Sequence, residues 1–345
     1  MLPCAPASAS TARPMVMKGV DAKGQYKGRR QAGDAVPALC SPAPEATPRQ
    51  AREKVRIPRI LGDFVLEKRI GKGGRSYVFA ARQALLERTV ALKVLRPEFA
   101  ANPELVAAFQ SEAAAYGRCD HPNILTCHAA GQDGDWHYMA LSYAPHGDTI
   151  QALTGSSRRR SVHRVLKWMA QIAEAVDHLA SQGWVHGDIK PGNILVGPDD
   201  RALLADLGSL HPLQDQGVPK RFEGTAAYMS PEQAARENLN VSSDIFAIGA
   251  TAWHLCTGKA PRPFTNDKHE ALRRAREEPL APLSSMAPWV PSAAVAVIER
   301  CIQPDARQRY QRPEDLARMA RQVLDSIRGD SSDTIYPAIN FQQGF

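Results

Sequence analysis

After residue 56, apolar and polar positions first follow a strand-like pattern and then change to a helical one. From Leu61 the chain reads LGDFVLEKRI, then a turn of Gly71-Lys72-Gly73-Gly74-Arg75-Ser76, then YVFAA. A second turn leads into Thr89-Val90-Ala91-Leu92-Lys93-Val94-Leu95. Apolar and β-branched runs around a glycine-rich turn predict two antiparallel strands followed by a third. Asn102-Pro103 opens a helix, with Asn as its cap and Pro at its first position. On that helix Leu105, Phe109, Glu112 and Tyr116 share one stripe. A further strand is expected over Trp136 to Tyr143. A long helix then spans Val162–Gln182, capped by Ser161 and ended by Gly183. Val165, Leu166, Met169, Ile172, Val176 and Leu179 form its buried stripe. Another apolar helix follows Asp244, and Pro313 starts the last one, which ends near Arg328.

Two charges interrupt this pattern. With a period of two, Lys93 shares a face with Ala91 and Leu95, a poor place for an ammonium group without an anionic partner. Glu112 is a carboxylate inside an apolar stripe. A Lys93–Glu112 ion pair answers both anomalies and leaves the ammonium able to hold phosphate oxygens. The glycines at 71, 73 and 74 fit the same reading, because without a Cβ the backbone N–H groups come close to phosphates.

Candidate chemistry is concentrated in His186-Gly187-Asp188-Ile189-Lys190-Pro191-Gly192-Asn193 and in Asp206-Leu207-Gly208. A hydroxyl attacking phosphorus needs a carboxylate to orient it and take its proton, and a triphosphate needs a divalent cation on hard oxygens. Asp188 suits the first task. Asn193 and Asp206 suit the second, for Mg²⁺ with Mn²⁺ as an alternative, and Lys190 adds positive charge beside the transferred group.

In order along residues 60–325, these motifs resemble the protein-kinase superfamily, and GTAAYMSPEQ resembles its bacterial serine/threonine branch. The resemblance rests on Gly71-x-Gly73, Val90-Ala91-Leu92-Lys93, Glu112 and His121-Pro122-Asn123-Ile124 in the first half of that span. Beyond it come the two segments above, Gly224-Thr225, Ser230-Pro231-Glu232, Asp244 and Arg309. It implies an α+β, bilobal fold: a small antiparallel sheet with one key helix, and a larger, mainly helical lobe. The small lobe would cover about 57–141, a hinge 142–144 and the large lobe about 145–328. The implied activity is ATP-dependent phosphorylation of Ser or Thr on proteins, with Thr225 bridging Asp188 and Lys190. Ile70, Gly71, Gly73, Gly74 and Ser76 would form the phosphate loop. Val78, Ala91 and Leu195 would enclose adenine, with Leu141 as gatekeeper and Ser142, Tyr143 and Ala144 as hinge. Asp148 would meet the ribose, Glu232 and Arg309 would pair inside the large lobe, and Asp244 would anchor the catalytic loop.

The chain departs from the family pattern at three places. Ser76 replaces the third loop glycine and Leu207 an aromatic residue. Gly187 replaces the arginine that receives an activating phosphate, and between Asp206 and Thr225 only Ser209 bears a hydroxyl. Together these imply activity that does not depend on a phosphorylated activation segment. Gly187 also keeps open a small-molecule kinase of the aminoglycoside or choline type. Lys190, the Thr225–Glu232 segment, Asp244 and Arg309 favour a protein kinase instead. A nucleotide-binding pseudokinase is the non-enzymatic alternative, although none of the five charged or amide groups above is missing.

The formal net charge of +7 does not point to nucleic acid, because residues 1–56 hold ten Lys or Arg against four Asp or Glu. That Ala- and Pro-rich leader is expected to be disordered, and residues 329–345 to be an irregular tail whose Ile335, Tyr336, Ile339, Phe341 and Phe345 dock on the body or on a partner, a choice the sequence leaves open. No run approaches the roughly 18 apolar residues that span a bilayer. The six cysteines show no C-x-x-C spacing and the ten histidines no metal spacing, as expected of free thiols in a reducing compartment. A cytoplasmic location follows as the expectation, with export lacking a cleavable signal left open. Protein substrate and oligomeric state are not legible.

Overall fold

A computed structural model describes residues 57–154, 156, 158–213, 225–328 and 341, with residues 158–160 and 328 by backbone alone. The leader, Gly224 and all of the tail except Phe341 lie outside the described residues.

Six strands form one antiparallel sheet: β1 (Ile60–Leu61), β2 (Phe64–Lys72), β3 (Ser76–Gln83), β4 (Arg88–Leu95), β5 (Cys127–Asp133) and β6 (Trp136–Ser142). Their order is β1-β2-β3-β4-β6-β5, so β6 inserts between β4 and β5. The β3–β4 register is unbroken from Ser76↔Leu95 to Gln83↔Arg88, and it fixes which face each side chain takes. Val90, Leu92 and Val94 pack with Leu61, Phe64 and Phe79 on one face. Ala91 and Leu95, with Lys93 between them, face the main core and the cleft. Helices α1 (Pro97–Ala100) and α2 (Pro103–Arg118) follow β4. The Asn102 side chain accepts hydrogen bonds from the N–H groups of Glu104 and Leu105 and so caps α2. Phe109, Glu112 and Tyr116 are the buried residues of α2, and Leu105 is half-buried at the cleft.

The second lobe contains α3 (Thr149–Leu153), α4 (Arg158–Ser181) and the short strands β7 (Trp184–Val185), β8 (Ile194–Val196), β9 (Ala202–Leu204) and β10 (His211–Pro212). Helices α5 (Pro231–Ala234), α6 (Val241–Thr257), α7 (Lys268–Glu277), α8 (Leu283–Met286), α9 (Ser292–Cys301) and α10 (Pro313–Arg328) complete it. Every residue of α6 from Ser242 to Cys256 is buried, as expected of a helix that is apolar on all sides. Gly249 lets α9 approach it: a Cβ there would stand 2.4 Å from Cys301 Cβ. The long helix begins at Arg158, so Ser161 is an interior, fully buried position and not its cap. Arg158, Arg159 and Arg160 are good helix formers and carry the helix one turn further than a cap-based reading places it. Gly183, with φ 82°, closes it. Strand β5 and helices α7 to α9 have no counterpart among the sequence-based elements. The Phe341 ring lies 6.1 Å from that of His254, against the body of the large lobe.

Among the described residues no helix is long and apolar enough to cross a membrane, and Cys119, Cys127, Cys256 and Cys301 are free thiols.

Candidate active site in the cleft between the lobes

A cleft of about 1060 Å³ opens between the sheet and the helical lobe. Its roof is formed by Ile70, Gly71, Gly73, Gly74, Ser76 and Val78, and its back by Ala91, Lys93, Glu112 and Leu141. Tyr143, Ala144, Asp148 and Leu195 line the outer end, while Asp188, Asn193 and Asp206 line the inner one. Ser142 and Lys190 are not among the lining residues. The Ser142 hydroxyl turns away, to 3.1 Å from His128 Nε2, so only its main chain is left to serve a ligand. The Asp148 carboxylate caps α3, accepting from Gln151 N–H at 2.9 Å, and burial raises its pKa.

Lys93 Nζ donates to both oxygens of Glu112, at 2.7 and 2.8 Å, and to Asp206 Oδ1 at 3.3 Å. Three elements thereby meet at one ammonium: β4, α2 and the turn after β9. Burial opposes the Lys93 charge, but Glu112 and Asp206 outweigh it and raise its pKa. Burial also raises Glu112, against the pull of Lys93. At Asp206 burial acts upward, and Lys93 more than offsets it, so the carboxylate is held below its usual range. Gly208 lies beside the same pair, where a Cβ on it would stand in ordinary contact with Glu112 Oε2, at 3.4 Å. Asp206 has a left-handed backbone, φ 65° and ψ 61°, rare for a residue with a Cβ and often found where a site over-determines the conformation. Its N–H donates to Tyr116 Oη at 2.7 Å.

The Asp188 carboxylate is fixed from three sides. Oδ2 accepts from Lys190 Nζ at 2.8 Å and from Asn193 Nδ2 at 3.0 Å, and Oδ1 accepts from Thr225 N–H at 3.3 Å. Lys190 Nζ also donates to Thr225 Oγ1 at 3.1 Å. Because Asn193 commits its amide nitrogen to Asp188, its oxygen is the end left to accept. Below the loop, Asp244 receives His186 N–H at 2.8 Å and Gly187 N–H at 2.9 Å, both buried. His186 Nε2 contacts Ala205 O at 3.1 Å while Nδ1 accepts from Asp188 N–H, so the ring ties the Asp188 loop to the residue before Asp206. Ser209 is buried and donates to His186 O and Asp206 O. Leu207 is buried in the main core.

Arg309 Nη1 and Nη2 meet Glu232 at 2.7 and 2.9 Å, and Arg309 also donates to Gln303 O, Ser242 O and Pro304 O. Tyr116, read from the sequence only as part of an apolar stripe, and Gln233, whose Nε2 donates to Gly187 O at 2.6 Å, join the site. For Tyr116 the signal was a hydroxyl at the end of an apolar stripe, which needs a partner once buried.

A sheet lobe and a helical lobe closing on a buried lysine–glutamate pair and a carboxylate-bearing loop define the bilobal class of protein-kinase-like folds. The protein kinase domain family model matches residues 64–324, and the chain belongs to that family. It is 31% identical over 266 residues to the Clostridium acetobutylicum protein named "Probable serine/threonine-protein kinase", covering 76% of this chain and 39% of that one. Serine/threonine-protein kinase PrkC of Bacillus subtilis is 30% identical over 273 residues, covering 78% of this chain and 42% of PrkC. PknA of Mycobacterium tuberculosis is 29% identical over 258 residues, covering 73% and 59%. The chain thus spans about two fifths of the length of the first two relatives.

Proposed function

We propose that this chain transfers the γ-phosphoryl group of ATP to Ser or Thr hydroxyls of proteins, with Mg²⁺ as the working cation. The observation that carries this reading is the Asp188 carboxylate, held by Lys190, Asn193 and Thr225 at the inner end of a cleft whose back bears the Lys93–Glu112 pair. Asp188 orients the acceptor hydroxyl and takes its proton as the new P–O bond forms and the bond to the leaving diphosphate breaks. Lys93 holds the α- and β-phosphates, braced by Glu112. Lys190 offsets charge on the transferred group.

The donor set fits a small hard cation: an ionised Asp206 and an Asn193 oxygen, with further oxygens to come from phosphates and water. Such a cation would neutralise charge on the β- and γ-oxygens. Val78, Ala91, Leu141 and Leu195 provide the apolar walls for a base, with the main chain of Ser142–Ala144 at its edge. The free thiols of the described cysteines support a cytoplasmic location.

The test is transfer of labelled γ-phosphate to the protein itself and to Ser- and Thr-containing peptides. Asp188→Asn should lower turnover by about 10²–10⁴-fold with ATP binding kept. Nucleotide binding without transfer to any peptide would sink the reading and direct the search to hydroxylated metabolites.

A further inference from the structure

Arg262, in the loop after α6, is 4% exposed, and its hydrogen bonds among the described residues go to no carboxylate, although the charge of Glu278 favours its ionised form. Its guanidinium donates to four main-chain carbonyls instead. Nη1 reaches Ala227 O at 3.2 Å and Met229 O at 3.1 Å, Nη2 reaches Ala275 O at 3.2 Å, and Nε reaches Glu278 O at 3.4 Å. Its Cζ lies 5.6 Å from the centre of the Phe246 ring, which Arg309 also contacts at 4.9 Å. A buried cation bonded only to neutral acceptors is expensive, and burial lowers its pKa to about 10. Lysine is a point charge on a flexible stem and cannot span four carbonyls as a planar fork does.

The four carbonyls fall into two groups. Ala275 and Glu278 belong to the last turn and cap of α7, where carbonyls lack helical partners and a cation is favoured. Ala227 and Met229 belong to the segment after Thr225, whose own N–H and hydroxyl contact Asp188 and Lys190. This segment therefore starts at the carboxylate that receives the acceptor hydroxyl. On that reading, a peptide with its hydroxyl at Asp188 passes beside this segment. Met229 packs with Ala234 and Ala275 in a small cluster that includes Ala226 and Leu272, so the segment meets α7 through that cluster and through Arg262.

We propose that Arg262 is a positioning residue for the protein substrate: it grips the carbonyls of Ala227 and Met229 and holds the acceptor platform in register with Asp188. The inference rests on the protein-kinase reading of the cleft. Phe246 ties the two buried arginines together, with Arg309 holding the far end of the platform through Glu232 and Arg262 holding the near end.

The experiment compares the full chain with Arg262→Lys and Arg262→Met in steady-state transfer to a peptide. Two peptides that differ only in the residue next to the acceptor are used. Arg262→Lys should raise the peptide KM at least fivefold, move the ATP KM less than twofold, and narrow the preference between the two peptides. Arg262→Met should do the same if it folds, and Arg262→Lys carries the test if it does not. Unchanged peptide KM in Arg262→Lys would overturn the proposal. So would a fall in kcat that tracks the folded fraction, with both KM values and the peptide preference unmoved. A wild-type chain that transfers to neither peptide would instead remove the protein-kinase reading itself.

Discussion

Gly187 and His211 compete for one space. A Cβ built on Gly187 would stand 2.8 Å from His211 Cδ2 and 3.4 Å from Ser209 O, and Gly187 has φ +77°. His211 is held there by the β7–β10 pairing, in which it lies opposite Val185. A side chain at position 187 is therefore opposed by backbone conformation and by a neighbouring ring. The one hydroxyl of the segment, Ser209, is buried and bonded to His186 O. Gly187→Ala should destabilise the protein by about 1–2 kcal/mol from the left-handed backbone alone, and Gly187→Arg by more. Phosphatase-treated wild type should keep its full rate. Chemical denaturation of the variants and mass mapping of the active enzyme check both. An activating phosphate on Ser209 would defeat the second expectation.

Lys93 and Glu112 should behave as one unit. Glu112→Gln leaves the ammonium with Asp206 as its one anionic partner among the described residues, and Lys93→Met leaves a carboxylate buried without its partner. Each single change should lower kcat/KM for ATP strongly. The double variant should cost little beyond Lys93→Met, a coupling of about 2–3 kcal/mol. Four sets of kinetics measure it, and additive losses would show that the two groups act apart.

Tyr116 supports Asp206, the proposed metal ligand, from α2. Tyr116→Phe removes the acceptor for Asp206 N–H while keeping the buried ring. The unpartnered N–H costs at least about 1 kcal/mol and loosens a residue held in a left-handed conformation. We expect turnover to fall about tenfold, equivalent to 1.4 kcal/mol, with a rise in the Mg²⁺ concentration for half-maximal rate. A magnesium titration of the variant beside wild type would show it, and an unshifted curve would refute the linkage.

What the sequence made legible depended on whether a residue's anomaly could be seen locally. Lys93 and Glu112 stood out because a charge breaks an apolar period, and the structure places them 2.7 Å apart. Asn102 marked its helix by side-chain capping, a contact within three residues. Arg262 gave no such sign. It sits in a Pro-rich loop where an arginine is ordinary, and its partners lie 13 to 35 residues away on main-chain atoms that no side-chain pattern reveals. Strand β5 was missed because CHAAGQD is short, polar and mostly exposed, so it lacks the period-two signal of β4. Ser161 misled because a serine before an apolar run looks like a cap even when the preceding arginines are already helical.

His254 makes the large lobe sensitive to acid. Its imidazole lies on α6, 5% exposed, with Nδ1 2.7 Å from Tyr228 Oη and the Phe341 ring on its other contact. Burial lowers its pKa to about 4, so it is neutral in the fold and accepts the tyrosine hydroxyl proton. In the unfolded chain the same group titrates near the ordinary value of about 6.5. Between those values the unfolded state binds the proton and the folded state does not. Stability is therefore complete above about pH 6.5 and falls as the pH drops toward 4. From pH 7 to pH 5 the loss from this residue should be about 2 kcal/mol. Glu232, held low by Arg309 against its burial, contributes in the same direction only below the ordinary glutamate range, so pH 5 separates the two. Urea midpoints at pH 7 and pH 5 should differ clearly in the wild type. In His254→Gln, which keeps an acceptor for Tyr228, the difference should shrink, with the remainder left to His121 and His128, whose pKa values burial also lowers. An equal pH dependence in the two proteins would assign the acid sensitivity elsewhere.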